Sequence, residues 1–280
     1  MCDRAANPER PGLQGHLLLV CGVDENGRSY LKKQSFCAPF HLSKTFQDNG
    51  VLVANVVNPT AGLFRGDVAR SEVRVEAGAR LLLTQPSATR VHDTQGGRSE
   101  TEQTYFVAAN SWLEILPELF IPHRGARHRQ RTRIQIEPSG ELCYLETLAP
   151  GRVASGEVFA FEELEWHTEI RCGNQLLVRE KFVLSTKNRS LCALDRFSEH
   201  TYIATFFLIS DRFEAKSDCW PEIERMHADD VWIGFSRLVA GGWVIKILAG
   251  ESHRLRDTVS AVREKMHRAA GWPLPLARKL

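Results

Sequence analysis

Val75-Glu76-Ala77-Gly78-Ala79-Arg80-Leu81-Leu82-Leu83 is the stretch that decides the fold. An apolar residue closes one strand, a short turn carrying glycine follows, and an apolar run opens the next strand. The same order returns as Val107-Ala108-Ala109-Asn110-Ser111-Trp112-Leu113-Glu114-Ile115-Leu116 and as Ile136-Glu137-Pro138-Ser139-Gly140-Glu141-Leu142-Cys143-Tyr144-Leu145. A looser copy is Ile170-Arg171-Cys172-Gly173-Asn174-Gln175-Leu176-Leu177-Val178. The turn residues recur about every 30 positions, a spacing typical of solenoid repeats. Working outward, the chain reads as strand after strand from Gly15 to about Ile209, with period-two alternation clear in Ser71–Val75. This predicts a mainly β chain whose strands stack as a layered, flattened β-helix. The alternative is a β-sandwich whose hairpins merely look alike.

The two ends read differently. Residues 1–14 are polar and proline-rich and read as a flexible arm. Residues 15–280 form a single domain, β-rich over 15–210 and α/β over 211–280. In the latter part Trp220–Met226 reads as a short helix, and Val231–Leu238 and Trp243–Leu248 as strands around Gly241-Gly242. Leu255, Val259, Val262 and Met266 then mark one face of an amphipathic helix over Ser252–Ala270, ended by Trp272-Pro273.

A net charge of +2 is too small to make nucleic acid the main partner. The longest apolar runs are too short to span a bilayer, and no secretory leader is visible. Seven scattered cysteines without a CxxC pair read as reduced thiols of a cytoplasmic protein. The familiar enzyme signatures G-x-S-x-G, H-E-x-x-H and G-x-G-x-x-G are absent. His123 and His128 fit no standard metal pair and read as partner-facing side chains. His92-Asp93 or His123 would serve a hydrolase, but no nucleophile accompanies them. Arg129, Arg131 and Arg133 share one strand face, either solvated or offered to an acidic protein partner.

The carboxylates say more. Alternation places Glu146 on one face with Leu142, Tyr144 and Leu148, Glu180 with Val178 and Phe182, and Glu114 with Trp112 and Leu116. A carboxylate on an apolar face is costly if the face is dry and the charge unpaired. Two solutions stand open: buried pairing with arginine, or a hydrated interior that a divalent cation can enter.

Asn58-Pro59-Thr60-Ala61-Gly62-Leu63-Phe64-Arg65-Gly66-Asp67 reads as a shaped turn ending in a carboxylate. It resembles the NPTGGLxGGD signature of the UreD (UreH) urease accessory proteins. The resemblance continues through Gly78–Val91, Leu113–Glu118 with Ile121-Pro122, Leu148–Arg152 with Gly156-Glu157, and the final Leu-Ala-Arg-Lys-Leu. Ala61 and Arg65 replace family glycines, His92 stands where tyrosine is common, and Lys187–Tyr202 matches weakly.

The resemblance implies a non-enzymatic cytoplasmic chaperone of layered β fold. It would bind apo-urease and act with UreF and the GTPase UreG, while UreE supplies nickel. No cofactor is held permanently, and Ni²⁺ passes as transient cargo. Asp67, Glu146 and Glu180 are the implied passage residues, with Glu118 and Glu114 behind them. A pure interaction scaffold using Arg129, Arg131, Arg133, His123 and His128 is the alternative. The apolar run Trp112–Ile121 is expected to form an exposed patch awaiting a partner.

Overall fold

A computed structural model describes residues 12–186, 200–213 and 217–276. The expected arm at 1–14 lies almost wholly outside them, as do most of Lys187–Tyr202 and all but the first residue of the terminal Leu-Ala-Arg-Lys-Leu. In chain order the strands are β1 (Gln14–Val23), β2 (Ser29–Phe36), β3 (His41–Leu42), β4 (Phe46–Asp48), β5 (Val51–Val57), β6 (Val68–Val75), β7 (Arg80–Gln85), β8 (Thr89–Val91) and β9 (Ser99–Val107). There follow β10 (Trp112–Pro117), β11 (Phe120–Pro122), β12 (Arg127–Ile136), β13 (Glu141–Leu148), β14 (Glu163–Cys172), β15 (Gln175–Ser185) and β16 (Tyr202–Ile209). Helix α1 (Cys219–Glu224), β17 (Val231–Arg237), β18 (Trp243–Ala249) and helix α2 (Ser252–Ala270) complete the set.

The chain coils between two facing sheets. One has the order β15-β14-β12-β9-β6-β1-β2; the other runs β17-β18-β16-β13-β10-β7-β5-β3, with β4, β8 and β11 attached at its side. Successive coils pair in parallel, β6 with β9, β9 with β12, β12 with β14, and on the opposite side β5 with β7, β7 with β10 and β10 with β13. A sandwich of hairpins would pair antiparallel, so the parallel register decides for the layered coil. Antiparallel strands close the ends.

The repeated turns drive this coiling. Gly78, Asn110, Ser139 and Gly173 all take positive φ, at 76°, 55°, 66° and 54°. The first three turns carry the chain from one sheet to the other. Their backbones stack, with Ala108 N donating to Val75 O at 3.0 Å and Glu137 N to Val107 O at 2.8 Å. The fourth differs: Gly173-Asn174 joins β14 to β15 as an antiparallel hairpin in one sheet. It ends the repeat.

Two cores result. Leu17, Leu19, Val73, Leu81, Leu113, Ile136 and Leu142 fill the space between the sheets. On the far side of the larger sheet, Leu82, Trp112, Cys143, Leu145 and Phe206 pack beneath α1 and α2. There Leu255, Val262 and Met266 are buried as the helical spacing required, and Gly271 at φ 60° caps the helix. The expected exposed patch at Trp112–Ile121 is not found. Trp112, Leu113, Ile115 and Phe120 are buried, and Leu116, Leu119 and Ile121 lie half-buried against the helical core.

Candidate functional site: a polar rung between the sheets

Parallel register aligns like positions of successive coils. Near the turns the inward layer is apolar: Val73, Tyr105, Ile134 and Ile170. Two residues earlier on each strand it is polar: Ser71 opposes Gln103, Gln103 opposes Thr132, and Thr132 opposes Thr168. From the facing sheet β13 delivers Tyr144 and Glu146, whose inward parity agrees with the alternation in sequence.

Gln103, Thr132, Thr168, Tyr144 and Glu146 form one hydrogen-bonded chain. Thr132 Oγ1 donates to Gln103 Oε1 at 3.0 Å and lies 3.2 Å from the Tyr144 hydroxyl. Tyr144 donates to Glu146 Oε1 at 2.9 Å, and Thr168 Oγ1 donates to the same oxygen. Glu146 is 9% exposed and has no cationic partner among the described residues. Burial pushes its carboxyl up, an effect only partly offset by the Thr168 hydroxyl and the other donors; the charge of Glu180 pushes in the same direction.

Beside Glu146 lies a cavity of about 90 Å³, with Asn58, Gln85, Thr101, Gln103, Gln130 and Glu146 among its walls. Such a volume, with polar groups set among apolar walls such as Val56, Leu83 and Trp166, has room for several waters. Gln85, Pro117, Glu118, Leu145 and Thr147 belong both to this cavity and to a groove of about 540 Å³ beneath α2. Glu118 therefore stands where groove and cavity meet, with Arg256 at 3.6 Å. Opposite Thr168 in register is Glu180 on β15, paired with Lys246 at the open edge between the sheets.

Other candidates are placed elsewhere. Glu114 is not part of this interior. It faces the helix, fully buried, with Arg263 Nε and Nη2 each 2.6 Å from its oxygens and His267 Nε2 at 3.0 Å. Burial alone would raise its carboxyl; Arg263 and His267 outweigh that and hold it at about 2. Cys143 lies near enough to complete a donor trio with Glu114 and His267. Arg263 already occupies both carboxylate oxygens, so the cluster is an ion-pair lock.

Asp67 is 7% exposed and accepts the backbone N–H of Leu13 on Oδ1 and of Phe64 on Oδ2, both at 2.8 Å. It closes the Asn58–Asp67 turn, which brings Asn58 and Leu63 to the cavity wall. The two glycines kept in that turn are the ones with positive φ, Gly62 at 143° and Gly66 at 78°; Ala61 and Arg65 need none. A Cβ on Gly62 would meet Arg90 O at 2.5 Å.

His123 and His128 do not face outward. His128 is 1% exposed, bonded through Nδ1 to Ser99 Oγ at 2.9 Å, and burial drives it down to about 3, so it is neutral. His123 is 7% exposed and packs edge-on against His92. His92 approaches Ala61 O through Nε2, and Asp93 accepts from Gln95 N, so no His–Asp dyad exists there. Arg129, Arg131 and Arg133 do face outward, within a lattice of mixed charge. Arg129 pairs with Glu165 at 2.7 Å and Glu100 at 3.4 Å, while Arg131 lies between Glu102 and His167 and Arg133 beside Glu169 in register.

The rung's neutral members Gln103, Thr132 and Thr168 and the cavity-wall Gln130 escaped the sequence reading, as did the Arg263 and His267 partners of Glu114. Alternation does put Thr101 and Gln103 in line with buried Tyr105 and Val107, a detectable signal.

Residues 14–278 match the family model described as UreD urease accessory protein. The urease accessory protein UreD of Opitutus terrae is 40% identical over 252 residues, covering 89% of this chain and 92% of that protein. UreD of Acetivibrio thermocellus is 29% identical over 262 residues, covering 91% and 98%. The urease accessory protein UreH of Helicobacter hepaticus is 24% identical over 230 residues, covering 82% and 89%. No described helix is long and apolar enough to cross a membrane. With a matching family model over nearly its whole length and relatives named UreD or UreH matched over most of theirs, the chain belongs to the UreD family of urease accessory proteins, which are not enzymes.

Proposed function

We propose that this chain serves urease maturation by passing Ni²⁺ through its interior to the apoenzyme, in a cytoplasmic complex with UreF and the GTPase UreG. The observation that carries the reading is Glu146: a buried carboxylate without a cationic partner among the described residues, beside a cavity of mixed polar and apolar lining that adjoins a larger groove. The route runs from the groove past Glu118 to Glu146, then by Thr168 to Glu180 at the sheet edge. One carboxylate among neutral amide and hydroxyl oxygens holds Ni²⁺ weakly. Four strong ligands would retain it, since nickel stands high in the divalent affinity series. Proton and metal compete for Glu146, and its raised carboxyl makes release easier.

The test is co-expression of urease and its accessory proteins with Glu146→Gln or Glu146→Ala in this chain. The complex should assemble while urease nickel content and activity fall. Full activation would refute conduction. The scaffold reading, in which docking alone matters, draws on Arg131 and Arg133, which have no ion pair among the described residues. Charge reversal at those two positions would then abolish pulldown of urease, and Glu146 variants would be silent.

A further inference from the structure

At the end of the coil opposite the repeated turns, the Asn58–Asp67 turn stacks with three longer loops. Leu63 N donates to Arg90 O at 2.8 Å and His92 N to Leu63 O at 2.9 Å. His123 N donates to Val91 O at 2.8 Å and Gly125 N to Ala160 O at 3.2 Å. Backbone bonds thus join the four segments into one surface. Phe64, Arg90, Arg124 and Arg152 on it line neither the cavity nor the groove beneath α2.

Phe64 projects from this surface, 46% exposed, yet its ring is fixed. It lies parallel to the His92 ring at 4.5 Å, His92 Nε2 donates to Ala61 O at 3.0 Å, and His123 packs edge-on against His92. Arginines stand around this stack. Arg90 is exposed and has no ion pair among the described residues; its Cβ is close enough to bar a side chain at Gly62. The stem of Arg65 packs over Gly97. Arg152 Nε donates to Glu157 at 2.9 Å, Arg124 N donates to the same carboxylate at 3.1 Å, and the Arg124 side chain stands 3.9 Å from it. Glu157 is buried, so it ties the two loops together and spends its charge on Arg152. Val153 and Val158 flank that pair and are exposed. Arg65, Arg90, Arg124 and Arg152 face two carboxylates, Asp93 and Glu157, which leaves a surplus of two positive charges (four minus two). Nearby Arg98 and Arg127 are matched by Glu163 and Glu162.

We propose that this end of the coil docks an acidic segment of a protein partner, which lays an apolar side chain on Phe64 and carboxylates on Arg90 and Arg124. Aromatic rings and arginines are the residues that anchor protein interfaces, and a ring already held in place spares the cost of ordering it. The arginine fork pairs with a carboxylate through two parallel hydrogen bonds. Val153 and Val158 add apolar contact that a phosphate backbone cannot use, and two surplus charges are few for a polyanion, so the surface suits protein rather than nucleic acid. The assignment rests on the chain's accessory role toward another protein and is independent of nickel passage.

The experiment captures apo-urease on the tagged full-length chain, co-expressed with the other accessory proteins. Wild type should retain urease, and less of it as salt rises. Phe64→Ser and Arg90→Glu should each weaken capture by about 10-fold, and the two together should abolish it. Both side chains are exposed, so melting of the variants should stay close to wild type. Glu146→Gln should be captured like wild type, so a failure of docking and a failure of passage are read separately. Arg131→Glu with Arg133→Glu should also leave capture intact. Undiminished capture by the Phe64→Ser, Arg90→Glu chain, loss confined to the Arg131 and Arg133 variant, no capture by wild type, or a tighter hold on single-stranded oligothymidylate through the same residues would each overturn the assignment.

Discussion

Arg263 on α2 grips Glu114 on β10 with two hydrogen bonds of 2.6 Å, joining residues 149 apart in sequence. Arg263 also reaches Pro275 O at 3.1 Å, and His267 Nδ1 reaches Pro273 O at 2.7 Å. One buried ion cluster thus pins both the C-terminal helix and the tail after it to the coil. Removing Arg263 leaves the buried Glu114 carboxylate with His267 alone, so Arg263→Met should cost up to about 3–5 kcal/mol. Glu114→Leu combined with Arg263→Met should recover much of that loss. Denaturant unfolding of the single and double variants checks it.

The same cluster sets a pH response. The Glu114 carboxyl lies at about 2 in the folded chain against an ordinary 4.5, so its stabilisation is full above 4.5. It drains away as pH falls from there toward 2. In a series of unfolding curves, wild type should lose stability steeply over that acid window and Glu114→Gln should show a shallower slope. Parallel slopes would contradict the assignment.

Glu146 works in the opposite sense. Its carboxyl is raised, so the fold carries a cost that is absent below the ordinary 4.5 and grows to its full size as pH rises through the folded value. Glu146→Gln should therefore raise the denaturation midpoint at neutral pH, with the gain shrinking in acid. A functional residue retained at the expense of stability would behave in this way.

Asp67 divides structure from ligation. Asp67→Ala strands two backbone N–H donors, those of Leu13 and Phe64, at about 1–3 kcal/mol apiece if they stay dry. Asp67→Asn keeps one acceptor and should fall between wild type and Asp67→Ala. Urease activation should then track stability across wild type, Asp67→Asn and Asp67→Ala, measured by thermal melting alongside nickel content. Loss of activation in Asp67→Asn at unchanged stability would return Asp67 to the metal's path.

Much of the coil was legible because its causes are local. Gly78 and Asn110 mark turns that need positive φ, although in the third turn Ser139 rather than Gly140 takes it, and period-two alternation placed Glu146 inward. The helix over Ser252–Ala270 followed from its apolar spacing and its αL glycine. What local pattern could not convey was partnership across long separations. Glu114 and Glu146 look alike in sequence, each a carboxylate among apolar neighbours. Strands β10 and β13 present them to opposite sides of one sheet. One meets Arg263 and the other meets hydroxyls and a cavity. The histidines failed for a similar reason. A polar loop motif suggested exposure, but His128 on β12 is buried beside Phe120, and His123, just after β11, is buried against His92.

Nickel content of urease matured with Glu146→Gln is the most direct measurement. The substitution preserves size and fold and removes only the charge from the cavity. The passage account expects an assembled complex that yields nickel-poor urease, in proportion to its lost activity. Urease filled with nickel to the wild-type level, from an equally assembled complex, would contradict it.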